Sequence, residues 1–213
     1  MSGPSRPIWY LSYGSNLSWA RFSCYLTGGT PPGARRANLG ARDPSAPRAE
    51  AALTLPGQVY FAGTSAMWGG GVAFYDPDIP ASTLARGYLL TGEQFTDVMA
   101  QELGAVPGTI SVLPPLAVGD RVEMASGRYG TLLVCGEHDG ILTATFTAPC
   151  AMADVQVAAP SLAYLATLAI GLSESHGLDV AAQAAYLAAL PGAAPRWENP
   201  GLAAVLGRLP GGR

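Results

Sequence analysis

The sequence predicts one α+β domain, on three observations. Strand-like apolar runs fill the chain as far as Thr147, helical patterns take over from Ser161, and an Asp-Gly pair joins two β-rich runs. With 213 residues the chain has the length of one domain and can bury a core without metal or disulfide staples. The domain is expected to span residues 1–213, with a core over about 8–190 and a C-terminal tail over 191–213.

Taken in order, Ile8–Tyr13 is an apolar, aromatic run bounded by Pro7 and Gly14, and reads as a buried strand. Ser18–Leu26 spaces Trp19, Phe22 and Leu26 as a helix, with Asn16 or Ser18 as cap. Thr27–Pro47, rich in Gly, Pro and Arg, reads as a long ordered loop. Strands follow at Ala49–Leu55, Gln58–Gly63, Gly71–Tyr75 and Leu84–Thr91, the last ended by the turn-like Thr91-Gly92. Glu93–Leu103 sets Phe95, Val98, Met99 and Glu102 at helical spacing. Val122 opens a short strand, and Tyr129–Gly136 and Ile141–Thr147 form a hairpin through Glu137-His138-Asp139-Gly140. Ser161–Ser173 and Asp179–Leu190 are helices, with Gly177 suited to end the first. Trp197–Leu209 adds a terminal helix.

Composition excludes several classes of function. Net charge is −3 and no basic run occurs, which argues against nucleic acid; the longest basic cluster, Arg35-Arg36, lies in a loop. All twelve basic residues are arginine, a pattern of GC-rich genomes such as those of actinobacteria. No run of eighteen apolar residues marks a membrane span, and Met1–Pro7 lacks a signal-peptide apolar region. Three cysteines (Cys24, Cys135 and Cys150) without CxxC spacing read as reduced cytoplasmic thiols. A zinc hydrolase needs three converging ligands, but the chain has two histidines, His138 and His176, and no H-x-E or D-x-H spacing. Cys24 has no histidine marked as partner for a cysteine hydrolase, and Gly69-Gly70-Gly71 is no phosphate loop because no GK[ST] follows.

The most informative segment is Tyr10-Leu11-Ser12-Tyr13-Gly14-Ser15-Asn16-Leu17. A strand ends, glycine permits a tight turn, and Ser-Asn leads into a helix. Successive backbone N–H groups there can converge on a carboxylate or phosphate. The same pattern also fits an ordinary strand-turn-helix in which Asn16 caps the helix.

YLSYGSNL resembles the YGSN signature of the γ-glutamyl cyclotransferases. Four further resemblances follow in the family's order. Trp68-Gly69-Gly70-Gly71-Val72-Ala73 is similar to its W-x-G-G-I/V-A entry to a strand, and Arg86-Gly87-Tyr88-Leu89-Leu90 to the next strand. Gln94 to Glu102 resembles the helix ending L-D-x-x-E, with Met99 where the family has an acid and Leu103 where it has glycine. Pro160-Ser161-Leu162-Ala163-Tyr164 and His176-Gly177-Leu178 resemble its late P-S-x-x-Y and N/H-G-L. The strings SYGSN, CYLTGG, PPGAR, FYDPD and AQE are similar to an actinobacterial subgroup, some members of which carry a histone-deacetylase label.

The resemblance implies a mixed, barrel-like sheet with flanking helices and a pocket at one end. It implies an enzyme, of transferase or lyase type, that releases an amine from a γ-glutamyl amide. The substrate's α-amine attacks its own γ-carbonyl and closes 5-oxoproline, so no protein nucleophile is needed. Two proton transfers remain, and one carboxyl group can perform both. Glu102 matches the family's acid-base glutamate, and burial beside Phe95, Val98 and Met99 would raise its pKa to suit the task. As an arbitrary glutamate it would be a solvated residue at a helix end. Tyr10, Leu11, Ser12, Tyr13, Gly14, Ser15 and Asn16 match the substrate-lining segment, whose amides hold the α-carboxylate and the oxyanion. Tyr164 matches a substrate-contacting tyrosine and equally fits a core aromatic beside Leu165 and Leu168.

Arg21, Arg42 and Arg35-Arg36 either clamp a substrate carboxylate or pair with acids such as Asp43. The expected partner is a small γ-glutamyl molecule, with no cofactor, metal, nucleic acid or membrane, and the expected assembly a monomer or homodimer. Two other readings stay open: a non-catalytic small-molecule-binding module, and an enzyme acting through Glu102 on another amide or ester of natural-product metabolism.

Overall fold

A computed structural model of the chain describes residues 6–34, 36–110 and 113–208. Arg35 and the predicted helix end at Leu209 lie outside them. The chain divides into two compact units. One comprises Met1–Ser12, Ala20–Ala51 and Arg86–Pro149; the other comprises Tyr13–Trp19, Ala52–Ala85 and Cys150–Arg213. Among the described residues no helix is long and apolar enough to cross a membrane.

In chain order the strands are β1 (Ile8–Ser12), β2 (Glu50–Pro56), β3 (Gln58–Ser65), β4 (Gly70–Asp76), β5 (Ser82–Leu90), β6 (Arg121–Glu123), β7 (Thr131–His138) and β8 (Ile141–Thr147). The helices are α1 (Trp19–Thr27), α2 (Gly92–Glu102), α3 (Leu162–His176), α4 (Val180–Ala189) and α5 (Asn199–Leu206). Six strands make a mixed sheet of order β2-β5-β1-β8-β7-β6, and β3 and β4 form a sheet of their own. The architecture is α+β as expected.

The barrel is corrected: the order has two ends, β2 and β6, and closure requires an unbroken ring of strand pairs. Coil takes the backbone groups that a further strand would use at β3. Phe61 donates its N–H to Pro191 O (2.8 Å) and accepts from Ala158 N (2.9 Å).

In the first unit β1 is the inner strand, antiparallel to β5 and parallel to β8. All five of its residues are buried, which explains its unbroken apolar run. Helices α1 and α2 contribute Phe22 and Phe95 to an aromatic core around Tyr10. Tyr10 lies 5.5 Å from Phe22 and 5.4 Å from Phe146, and Phe22 stacks on Tyr88 at 3.9 Å between ring centroids. Burying each ring stabilises by roughly 1.5–3 kcal/mol. The Asp-Gly hairpin signal is realised at β7–β8, where Asp139 and Gly140 have φ of 53° and 72°, as a type I′ turn requires.

The loop after α1 owes its order to a polar face of α2. Gln94, Asp97 and Gln101 are spaced to share that face. Gln94 Nε2 donates to Ser45 O (2.8 Å), and Gln101 Oε1 accepts from Gly40 N (3.2 Å). Asp97, wholly buried, accepts from the N–H groups of Arg42 and Gly108 (both 2.8 Å) and pairs with the Arg42 guanidinium at 3.0 Å. Buried polar groups keep their positions only when partnered, so these contacts fix the loop.

Candidate functional site

In the first unit Glu102 is the last residue of α2 and is half-buried. The apolar residues before it (Phe95, Val98 and Met99) are wholly buried and hold the helix down. Thr91 and Gln94 close a reciprocal capping box at its start, which fixes where α2 begins. The carboxylate faces the phenol of Tyr25, a buried residue on α1. Burial pushes the Tyr25 phenol well above its usual range; the neighbouring Glu102 carboxylate pushes the same way, and Arg21 opposes it. The Arg21 guanidinium lies 5.8 Å from the Tyr25 ring centroid, a cation–π distance. Gln101 Nε2 donates to Tyr25 O at 2.9 Å, so the residue beside Glu102 on α2 holds the Tyr25 backbone.

Tyr25 was absent from the expected site. Its only signal in the sequence is its i+4 position after Arg21 on a predicted helix. Arg42 meets Asp97 and Glu93 (3.5 Å) rather than Asp43, so its guanidinium serves the loop and is no longer a candidate clamp. Tyr10, Leu11 and Ser12 lie along β1, all buried. The Tyr10 ring is committed to the aromatic core and Leu11 O accepts from Thr145 Oγ1 at 2.6 Å. Among the described residues the buried Ser12 Oγ has no hydrogen-bond partner.

In the second unit the Tyr13 ring lies tilted at 5.6 Å from Tyr75, and Ser15, Asn16 and Leu17 form a 3-10 turn. Asn16 therefore lies inside a turn, not at the cap of α1. Three features of α3 buttress this segment. A Cβ on Gly14 would stand 3.2 Å from the Tyr164 hydroxyl, one on Gly171 would stand 2.4 Å from backbone of Leu17, and Glu174 Oε2 accepts from Trp19 N at 2.7 Å. Tyr164 is buried, 2% exposed, and its hydroxyl accepts from Ala73 N at 3.1 Å. Trp68 packs on its ring at 5.2 Å. The Trp-Gly-Gly-Gly motif lets the entry to α3 approach, since a Cβ on Gly71 would fall 2.1 Å from Ala158 O.

Other reactive groups sit elsewhere. Burial pushes the Cys135 thiol up to about 12, which keeps it protonated and poorly nucleophilic. His138 packs edge-on to Trp9 at 5.1 Å, and His176 Nδ1 lies 2.8 Å from Ser175 Oγ. Among the described residues no group of three His, Cys, Asp or Glu is placed to hold a metal ion.

No family model matches the chain. It is 32% identical over 200 residues to histone deacetylase 5 of Arabidopsis thaliana, an alignment covering 84% of this chain and 30% of that protein. The chain thus spans about 30% of the length of the curated relative it matches. A crystal structure of an uncharacterized protein from Homo sapiens superposes with TM-score 0.52 at 18% identity, over 95% of this chain and 99% of that one. A γ-glutamyl cyclotransferase structure gives TM-score 0.53 at 16% identity, over 96% of this chain and 100% of that one. The chain has the γ-glutamyl cyclotransferase fold.

Proposed function

We propose that this protein is a γ-glutamyl cyclotransferase-type enzyme, working as a single cytoplasmic domain without metal or cofactor. One observation carries the reading. On the fold of γ-glutamyl cyclotransferase, α2 ends in a half-buried glutamate, Glu102, that faces a buried phenol. The resemblance of YLSYGSNL and of the α2 sequence to the family's motifs supports it.

In the proposed reaction the backbone N–H groups of Tyr13, Gly14 and Ser15 hold the substrate's α-carboxylate and the developing oxyanion. Tyr10, Leu11, Ser12 and Asn16 complete that wall, and Tyr164 fixes its position from behind. Glu102 removes a proton from the α-ammonium. The freed amine attacks the γ-carbonyl, the new C–N bond closes the five-membered ring, and the old amide C–N bond breaks. The proton on Glu102 passes to the departing amine, the ring nitrogen gives up its second proton by the same route, and the amine leaves as an ammonium with the carboxylate back in its starting state. The tether within the substrate supplies the effective concentration that a separate nucleophile would lack.

A second reading, a binding module without turnover, is favoured by the match to a part of a much longer protein. One assay separates the two: incubation with a panel of γ-glutamyl amides and amino acids, with 5-oxoproline and free amine quantified. The enzyme reading expects the two products in equal amounts. Ligand-induced thermal stabilisation with no 5-oxoproline from any substrate supports the module instead.

A further inference from the structure

We infer that the side-chain hydroxyl of Ser12 binds substrate by donating a hydrogen bond to the α-carboxylate of the γ-glutamyl unit, a role that rests on the proposed cyclisation. Ser12 is the last residue of β1, belongs to the first unit and is 2% exposed. Among the described residues its Oγ has no hydrogen-bond partner. A buried hydroxyl in that state has given up water for nothing and destabilises the fold that holds it. The rest of β1, Ile8-Trp9-Tyr10-Leu11, is apolar or aromatic, as a strand buried along its length requires. Alanine would suit position 12 without that cost. Serine there departs from the local pattern, and such departures collect at functional sites.

The register shows what surrounds the hydroxyl. Side chains alternate between the faces of a sheet, so Ser12 shares the face of Tyr10, on which α1 and α2 place Phe22 and Phe95. Its partner across β5 is Arg86, whose guanidinium pairs with Glu50 at 2.6 Å. Continuing the Tyr10–Ala144 register by two residues brings Phe146 of β8 level with Ser12. Phe95 packs on both Tyr10 (6.3 Å) and Phe146 (5.1 Å), and α2 runs on from there for about two turns to Glu102. Ser12 and Glu102 thus belong to the same helix-covered side of the first unit. In the proposed reaction the α-ammonium must reach Glu102, and the α-carboxylate is attached to the same carbon. A hydroxyl donates one proton and rotates to aim it, and a bond to a carboxylate is among the stronger ones such a donor makes.

The test compares two ligands that differ in one group: 5-oxoproline, and pyrrolidin-2-one, the same ring without the carboxylate. Ser12→Ala should weaken binding of 5-oxoproline by about 10-fold or more and leave pyrrolidin-2-one within about 2-fold, read by chemical-shift titration. The ligand-free variant should melt about 2–4 °C above wild type, because an unsatisfied buried hydroxyl has been removed. Unchanged affinity for 5-oxoproline, or equal losses for both ligands, overturns the carboxylate contact. A lower melting temperature overturns the argument that the hydroxyl waits for a ligand, since it then already has a partner in the free protein. A wild type that releases no 5-oxoproline from any γ-glutamyl amide, with the carboxylate-dependent loss still present in Ser12→Ala, overturns the cyclisation reading and leaves Ser12 as a carboxylate-binding residue.

Discussion

Replacing Glu102 by Gln should lower kcat for 5-oxoproline release by roughly 10²–10⁴-fold, the range that general acid-base groups supply. Glutamine keeps the shape of the side chain but can neither take the ammonium proton nor return one to the leaving amine. Substrate binding rests on the backbone amides of the Gly-Ser-Asn turn in this account, so KM should change little. Steady-state kinetics on the best substrate of the γ-glutamyl panel measure both. Equal turnover by wild type and Glu102→Gln would reject this carboxyl as the proton carrier.

Gly171→Ala should lower the melting temperature by roughly 4–8 °C, an effect of about 2 kcal/mol. Two effects oppose each other at this site. Alanine is the better helix former by about 1 kcal/mol in the interior of a helix such as α3. Against that, its Cβ would stand 2.4 Å from the carbonyl carbon and Cβ of Leu17 and 2.5 Å from the N of Ser18. Backbone cannot swing aside as a long side chain can, so either α3 or the 3-10 turn must move and the clash wins. Gly201→Ala on α5 is the control, because no atom lies within 4 Å of its new Cβ and propensity acts alone. That variant should hold or raise the melting temperature. Because the turn bears on Gly171, Gly171→Ala should also weaken substrate binding at temperatures where the protein is folded. A variant as stable as wild type would show that α3 does not fix the turn.

Local signals in the sequence agree with the structure where the structure is local. Asp139-Gly140 announces its hairpin by backbone conformation alone, and Gly177, with φ of 64°, ends α3 as its position suggested. Asp179 caps α4 through its side chain on Ala182 N (2.8 Å). One local signal was passed over: Thr91 looked like the turn ending a strand, yet with Gln94 three residues later it starts α2 as a capping box. What pairs across the chain was not legible. Arg42 finds its acid 55 residues away at Asp97, not next door at Asp43. The phenol of Tyr25 faces Glu102 from a different helix, and no spacing rule encodes that meeting. The sheet partition was equally hidden. Strand runs such as Tyr60-Phe61-Ala62 and Val72-Ala73-Phe74 show burial, but burial does not name a partner, so β3 and β4 forming their own sheet contradicts the barrel while agreeing with every strand.

The proposed cyclisation requires Glu102 and the Tyr13-Gly14-Ser15 amides to act on one small molecule. A crystal structure with 5-oxoproline bound measures this directly. The proposed reaction predicts the ligand carboxylate within about 3.2 Å of backbone N–H groups in that turn, with the ring nitrogen or carbonyl side reaching Glu102 at hydrogen-bond distance. Product seated away from either group, or touching the turn while Glu102 faces bulk water, would contradict it.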